Sequence, residues 1–324
     1  MFIAIRRDMR GTMSQTTIYQ AIECTGIGLH SGKTVRLGLR PASENTGIIF
    51  HVVTPEGIKD ITARPDIVTD TGLATTLGTG NARVSTVEHL LAALRGLGID
   101  NIHIDVEGGE VPIMDGSAAP FVMLLKKAGI KHQDAPRTVW RIKKAVSFER
   151  DGKSIEAFPH DGFCVEYTIS FPHQLIGTQK MRMELTPRTF EMVSRARTFG
   201  FLREVEYLHS KGLALGGSLD NAIVLDDCSV LNQDGLRFDD EFVRHKILDF
   251  IGDMAMIDRP LQGRFVVSCS GHALNNEFLR TITENAETYL EAVTLPETQK
   301  EVAVAKRPAM SHVTGAAPIA VPAA

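Results

Sequence analysis

The sequence predicts an α+β protein of two domains, and three observations lead there. The chain has 324 residues, 43% of them hydrophobic, enough apolar material to build two cores. Runs with strand periodicity come grouped ahead of runs with helical periodicity, which favours layered α+β packing over a doubly wound parallel sheet. That coarse order occurs twice, and a polar break from His132 to Arg137 separates the halves.

The elements follow in order. Residues 1–16 read as an N-terminal extension without clear periodicity, with Met9 and Met13 as alternative starts. Residues 34–39 and 47–53 alternate as strands. Over residues 87–97, Leu90, Leu91, Leu94 and Leu97 recur at helical spacing, and Gly96 and Gly98 are expected to end that helix. Residues 101–106 alternate again, so one face of that strand is buried. Residues 120–128 read as a second apolar helix with Pro120 near its start. These make a first domain over residues 17–133. The second domain, residues 137–299, opens with strands at 139–148, 154–157 and 163–169. Helices at 187–195 and 240–257 and a short strand at 263–268 follow. Residues 300–324 are rich in Ala, Pro and Val without any period, and are expected to be a disordered tail.

Composition removes several function classes. A net charge of −4 with 23% charged residues gives no basic surface for nucleic acid. Aromatic residues make up 6% and Trp occurs once, which argues against base-stacking platforms. No run reaches the roughly 18–20 apolar residues needed to span a bilayer, and the N-terminal apolar run is too short for a secretory signal. Cys24, Cys164, Cys228 and Cys269 are far apart and form no C-x-x-C pair. The expectation is a soluble protein of a reducing compartment.

Two segments could carry chemistry. The run Gly26 to Thr34 suggests a phosphate loop, but G-x-x-x-x-G-K-[ST] needs glycine where Ile27 stands, and the run leads into a strand. It reads as a glycine-rich turn. The stronger signal joins Glu88-His89, in the first turn of a helix, to Arg244-His245-Lys246-Ile247-Leu248-Asp249. On a helix His245, Asp249 and Asp253 share one stripe, opposite Val243, Ile247, Ile251 and Met254. From spacing alone a solvated helix face explains that stripe. Two neutral imidazoles and one carboxylate, however, also make an open zinc site with water in the fourth position. A glutamate beside a ligand reaches such a water as general base, and His272 offers a general acid. Alone, His272 reads as a turn residue.

Five motifs then occur in order: Thr86-Val87-Glu88-His89-Leu90, Ile113 to Ala118, Ser194 to Gly200, Val243-Arg244-His245-Lys246-x-x-Asp249, and Ser270 to Asn276. Together they resemble the zinc-dependent UDP-3-O-acyl-N-acetylglucosamine deacetylases of Gram-negative bacteria, from about Thr17 to about Thr294. The resemblance implies a cytoplasmic enzyme at the committed step of lipid A biosynthesis. It implies two similar domains, each a sheet layered on helices, with the active site between them. By position His89, His245 and Asp249 would hold Zn²⁺, Glu88 would be the base and His272 the acid, aligned by Asp253. Thr198 and Lys246 match groups that stabilise developing negative charge, while Lys153 and Phe171 match positions for the diphosphate and uracil.

An acyl chain on the sugar needs apolar surface. Residues 178–217 supply Phe190, Met192, Val193, Phe199, Phe201, Leu202, Leu208 and Leu213, which read equally as an acyl passage or an ordinary helix core. Rival readings are a metal-independent sugar-nucleotide binding module and a hydro-lyase acting on acyl thioesters. A monomer is expected. The apolar C-terminal end, Ile319 to Ala324, carries two readings of its own: a handle for a regulatory protease, or a merely tolerated tail.

Overall fold

A computed structural model describes residues 12–296; most of the N-terminal extension and the Ala/Pro-rich tail lie outside the described residues. The first part of the chain forms β1 (Ser14–Ile18), β2 (Ile22–Ile27), β3 (Thr34–Pro41), β4 (Ile48–Thr54) and β5 (Gly57–Thr62). Then come β6 (Val68–Asp70), β7 (Thr76–Thr79), β8 (Ala82–Val84), α1 (Glu88–Leu97), β9 (Ile102–Glu107), α2 (Ala119–Ala128) and β10 (Ile130–Pro136). The rest begins with β11 (Thr138–Ile142), β12 (Val146–Arg150), β13 (Lys153–Phe158), β14 (Phe163–Ser170), β15 (Thr178–Glu184) and α3 (Pro187–Ser194). It continues with β16 (Phe199–Phe201), α4 (Leu202–Ser210), β17 (Ile223–Leu225) and α5 (Glu241–Asp253). Last are β18 (Leu261–Ser268), α6 (His272–Glu284), α7 (Ala286–Tyr289) and β19 (Leu290–Thr294). The fold is α+β, as the grouping of strands and helices implies.

Two main sheets carry the helices. One has the order β2-β3-β9-β4-β5; the other runs β12-β13-β18-β11-β19, with β14 also on β18 and β15 on β14. In β9 the alternation does what the sequence requires: Ile102, Ile104 and Val106 are buried while His103 and Asp105 face outward. In β14 Phe163, Val165, Tyr167 and Ile169 point into the core. The helices lie in the middle, where α1 packs on α5 and α5 packs on β14, α3 and α6. Every residue of α1 except Arg95 is therefore buried.

Gly252 makes the central contact. A Cβ there would overlap the backbone carbonyl oxygen of Glu88 and sit 2.7 Å from its carbonyl carbon, so only glycine lets α5 come this close to α1.

Several boundaries differ from the sequence reading, each for a physical reason. The polar run at His132 to Arg137 is not a loop, because most of it belongs to β10, which pairs antiparallel with β1 in a two-stranded ribbon that tolerates polar side chains. Residues 139–148 are two strands, since β11 pairs with β18 and β19 whereas β12 pairs with β13. The helix expected to reach residue 257 ends at Asp253; Met254, Met256 and Ile257 continue the apolar pattern only because they are core. Gly96 does not end α1. It lies inside the helix, where a Cβ would run into the Phe190 ring of α3, and Gly98 alone supplies the left-handed cap at φ 76°. His272 opens α6 rather than lying in a turn, and Leu274, Phe278, Leu279 and Ile282 are its buried stripe.

Gly252→Ala should destabilise the protein by at least the ~1–3 kcal/mol typical of overpacking, because the obstacle is backbone and cannot rotate away. Urea unfolding checks this, and an unchanged midpoint would contradict the contact.

Candidate active site

The site is built where the first-sheet helix α1 meets α5. Strand β8 turns into α1 through Thr86, whose φ of 58° is strained for a β-branched residue. Its hydroxyl donates to Glu110 Oε1 at 3.1 Å, which ties the turn down. The same carboxylate accepts the backbone N–H groups of His30 and Ser31 at 2.9 and 3.0 Å. The glycine-rich turn thus cradles the chain's own glutamate instead of a phosphate. Glu88 and His89 follow Thr86 and sit buried on the first turn of α1.

From α5 come His245, Lys246, Asp249 and Asp253, and only Lys246 keeps appreciable exposure. The polar stripe is not a solvated helix face. Asp249 Oδ1 stands 3.3 Å from His245 Nε2 and 3.6 Å from His89 Nε2. The two rings are edge-on, with centroids 5.1 Å apart. His245 donates Nδ1–H to the Ala196 carbonyl at 3.1 Å, which leaves Nε2 as a lone-pair donor aimed at the gap. Lys246 Nζ donates to Asp249 Oδ2 at 2.7 Å, occupying the other oxygen. Among the described residues, Asp249 Oδ1 and His89 Nδ1 are buried without a hydrogen-bond partner. Leaving a carboxylate oxygen so costs about 1–3 kcal/mol or more, and a cation in the gap would satisfy it. His89, His245 and Asp249 are a group that can hold a metal ion.

The other side of the site is a hydrogen-bonded set. Asp253 Oδ2 accepts from His272 Nδ1 and from Asn275 Nδ2, both at 2.8 Å, while Oδ1 accepts from the Thr75 hydroxyl at 2.7 Å. Thr75 also donates its backbone N–H to Glu88 Oε2 at 3.1 Å. His272 Nε2 then faces Glu88 Oε1 across 3.9 Å.

These surroundings drive similar groups in opposite directions. Burial pushes His245 down to about 4, keeping the imidazole neutral as a metal ligand must be. Burial would lower His272 as well, but the adjoining Asp253 carboxylate outweighs it and raises His272 to about 9. Burial raises the Glu88 carboxyl above its ordinary value, with His272 and His89 opposing. Against the burial that would raise it, the Lys246 ammonium holds Asp249 well below the usual carboxylate range.

A cavity of about 210 Å³ opens onto this set and is lined by Glu88, His89, His245, Lys246, Asp249 and His272. Thr198, Phe171, Phe199 and Phe201 complete its wall. Thr198 is held between backbones: its N–H donates to Gly116 and its carbonyl accepts from Ile223, both at 2.8 Å. Buried Arg197 fixes that segment through two nitrogens on Glu241, 2.9 and 3.1 Å away, at the start of α5. A larger cavity of about 470 Å³, around Arg95, Asp100, Arg137 and Arg259, brings no histidine or cysteine together.

The family model for UDP-3-O-acyl N-acetylglycosamine deacetylase (LpxC) matches residues 15–284. The chain belongs to this family. A protein from Oleidesulfovibrio alaskensis named UDP-3-O-acyl-N-acetylglucosamine deacetylase is 67% identical over 299 residues, covering 92% of this chain and 98% of its own. One of the same name from Nitratidesulfovibrio vulgaris is 64% identical over 306 residues, covering 94% and 99%. A third, from Thioalkalivibrio sulfidiphilus, is 50% identical over 286 residues, covering 87% and 94%.

Eleven of the twelve residues singled out in the sequence therefore meet at one place, ten on the cavity wall and Asp253 behind His272. Lys153 does not line the cavity. It is exposed at the start of β13, whose Ser154 pairs with Ser268, at the end of β18 that leads to His272. Phe190 and Val193, which the sequence left open between an acyl passage and a helix core, are fully buried, Phe190 against Gly96, and belong to the core. Phe171 and Phe199 instead pack edge-on at 5.6 Å on the cavity wall, and Leu202, the residue after Phe201, is exposed. No helix among the described residues is long and apolar enough to cross a membrane. Sequence reasoning missed Thr75, Asn275 and Glu110. Asn275 lies within a recognised motif, whereas Thr75 and Asp253 are 178 residues apart and share no local pattern.

Thr75→Val should cost roughly 1.5–3 kcal/mol, because it strips a donor from a buried carboxylate without removing the acceptor. Thr75→Ser should recover most of that loss. Urea unfolding of both variants checks the hydroxyl's part, and equal midpoints for Val and Ser would contradict it.

Proposed function

We propose that this member of the family is a zinc-dependent N-deacetylase acting on UDP-3-O-(3-hydroxyacyl)-N-acetylglucosamine. In this reading it works as a cytoplasmic monomer at the committed step of lipid A biosynthesis. The observation that carries the reading is the unpartnered, buried Asp249 Oδ1 between two imidazole nitrogens, with a separate base and acid facing it. The names of the relatives supply the substrate.

His89, His245 and Asp249 would hold the ion, whose two nitrogens and one oxygen suit zinc better than a hard cation. When bound, zinc supplies Lewis acidity that polarises a carbonyl and brings the pKa of water down to about 7. The protein's own groups do the rest. Glu88, made more basic by burial, takes the proton of the water that attacks the acetamide carbon. The carbonyl oxygen gains negative charge beside the Lys246 ammonium and the Thr198 hydroxyl, which stabilise it. His272, cationic below about pH 9, donates its proton to the sugar nitrogen as the C–N bond breaks. Acetate and a free amine result. Asp253 keeps the His272 ring oriented and charged.

Residues 17–133 supply Glu88 and His89, and residues 137–299 supply the remaining groups, so the reaction lies between two domains. Phe171 is assigned to the uracil, Lys153 to the diphosphate, and Phe199 and Phe201 to the start of the acyl path. Remote apolar contacts there would position the amide at the metal.

His245→Ala should lose most of the bound zinc, since too few ligands remain, and metal analysis of the purified variant checks it. Full occupancy would overturn the ligand assignment.

Glu88→Ala should keep zinc but lose about 10²–10⁴-fold in kcat, and His272→Ala likewise. The wild-type pH–rate profile should rise as Glu88 ionises and fall as His272 loses its proton near pH 9. Glu88→Ala should remove the acidic limb and His272→Ala the basic one; profiles that keep both limbs in both variants would refute the roles.

A further inference from the structure

We propose that His160, Cys164 and Glu184 form a second metal site, on the outer face of the larger sheet, taking a borderline divalent ion such as Zn²⁺. Cys164 on β14 and Glu184 on β15 are direct cross-strand partners, so both side chains stand on one face. Phe163 and Val165, pointing the other way, face the core, which puts the sheet between this cluster and the site on α5. His160 comes from the turn between β13 and β14, and its Nε2 lies 2.8 Å from Glu184 Oε1. One nitrogen, one sulfur and one oxygen all fall within 4.8 Å of one another.

The donor set is selective. Imidazole and thiolate are poor ligands for calcium or magnesium and good ones for zinc, with water able to complete a tetrahedron. Cys164 is fully buried, whereas the His160 and Glu184 side chains are 31% and 47% exposed, so the ion has an open approach.

An ordinary ion pair between His160 and Glu184 over an inert thiol is the simpler alternative. The convergence of three different donor atoms favours the metal. Arg264 and Arg182 approach Glu166, at 3.2 and 3.7 Å, and Arg264 also covers the Phe158 ring. Burial and Glu184 push the Cys164 thiol up, Arg182 beside it favours the thiolate, and the His160 imidazole on Glu184 can exchange its proton for an ion. Binding would convert the Cys164 thiol to a thiolate, form a sulfur–metal bond and release one proton to solvent. It would tie the β13–β14 turn to β15, which among the described residues pairs only with β14 at the sheet edge.

This inference is independent of the proposed reaction, because His89, His245 and Asp249 contain no sulfur. Cobalt(II) titrated into the full-length protein provides the probe. A sulfur-to-cobalt charge-transfer absorption in the near ultraviolet is expected, reaching its plateau with one equivalent at this site. Cys164→Ser should abolish it. His160→Ala, in an exposed turn that leaves the sheet intact, should weaken cobalt binding by more than the roughly 10–100-fold typical of losing an outer-shell partner. Both variants should retain deacetylase activity. Absence of the band in the wild type, its survival in Cys164→Ser, or equal cobalt affinity in His160→Ala, meaning an adventitious ion only, would each overturn the site.

Discussion

The close approach of α1 to α5 at Gly252 is the contact on which the candidate site rests. There the backbone of Glu88 occupies space that a side chain would otherwise fill. His89 and Asp249, on different helices, consequently stand only 3.6 Å apart. Five ionisable residues, Glu88, His89, His245, Asp249 and Asp253, are buried where apolar side chains would pack more cheaply. The apolar residues around them, including Leu90, Leu94, Ile247 and Ile251, must offset that cost. The helix pair gives up stability for a fixed geometry of charge.

Within that geometry, identical side chains hold different protons. His245 gives its one N–H to a carbonyl and is kept neutral by burial, while His272 faces a carboxylate and is kept charged. The difference lies in what each carboxylate is already doing. Asp249 gives one oxygen to Lys246 and leaves the other unpartnered before two imidazole nitrogens, whereas Asp253 receives Thr75, Asn275 and His272 in a closed set. In the proposed reaction one imidazole must offer a lone pair and the other a proton at the same pH. Environment, not residue type, makes that division.

The elements legible in the sequence were those whose burial follows a single period. Helix α1 and strand β9 have one clear apolar face each, and their limits fall within a residue of the expected ones. The i, i+4 relation of His245 and Asp249 was equally visible, because it is local to one helix. What could not be read from patterning was the partner of that stripe. Nothing within α5 says whether solvent or α1 lies opposite, and only the five ordered motifs linked His245 to His89. Long-range pairings without a local signature stayed hidden, as with Thr75 on Asp253 and the Cys164–Glu184 register. Strand β10 was missed because its side chains are polar, its pairing being a matter of backbone alone.

The division of the site between α1 and α5 also has a meaning in time. Translation runs at about 5–20 residues per second, so on the order of ten seconds separates the emergence of the two helices from the ribosome. During that interval the growing chain carries Glu88 and His89 but none of the groups on α5. One imidazole and an adjacent carboxylate are too few to keep a transition-metal ion against competing cellular ligands. In the proposed reading, an ion at this site would therefore be loaded only after α5 has joined α1, late in the synthesis of the chain.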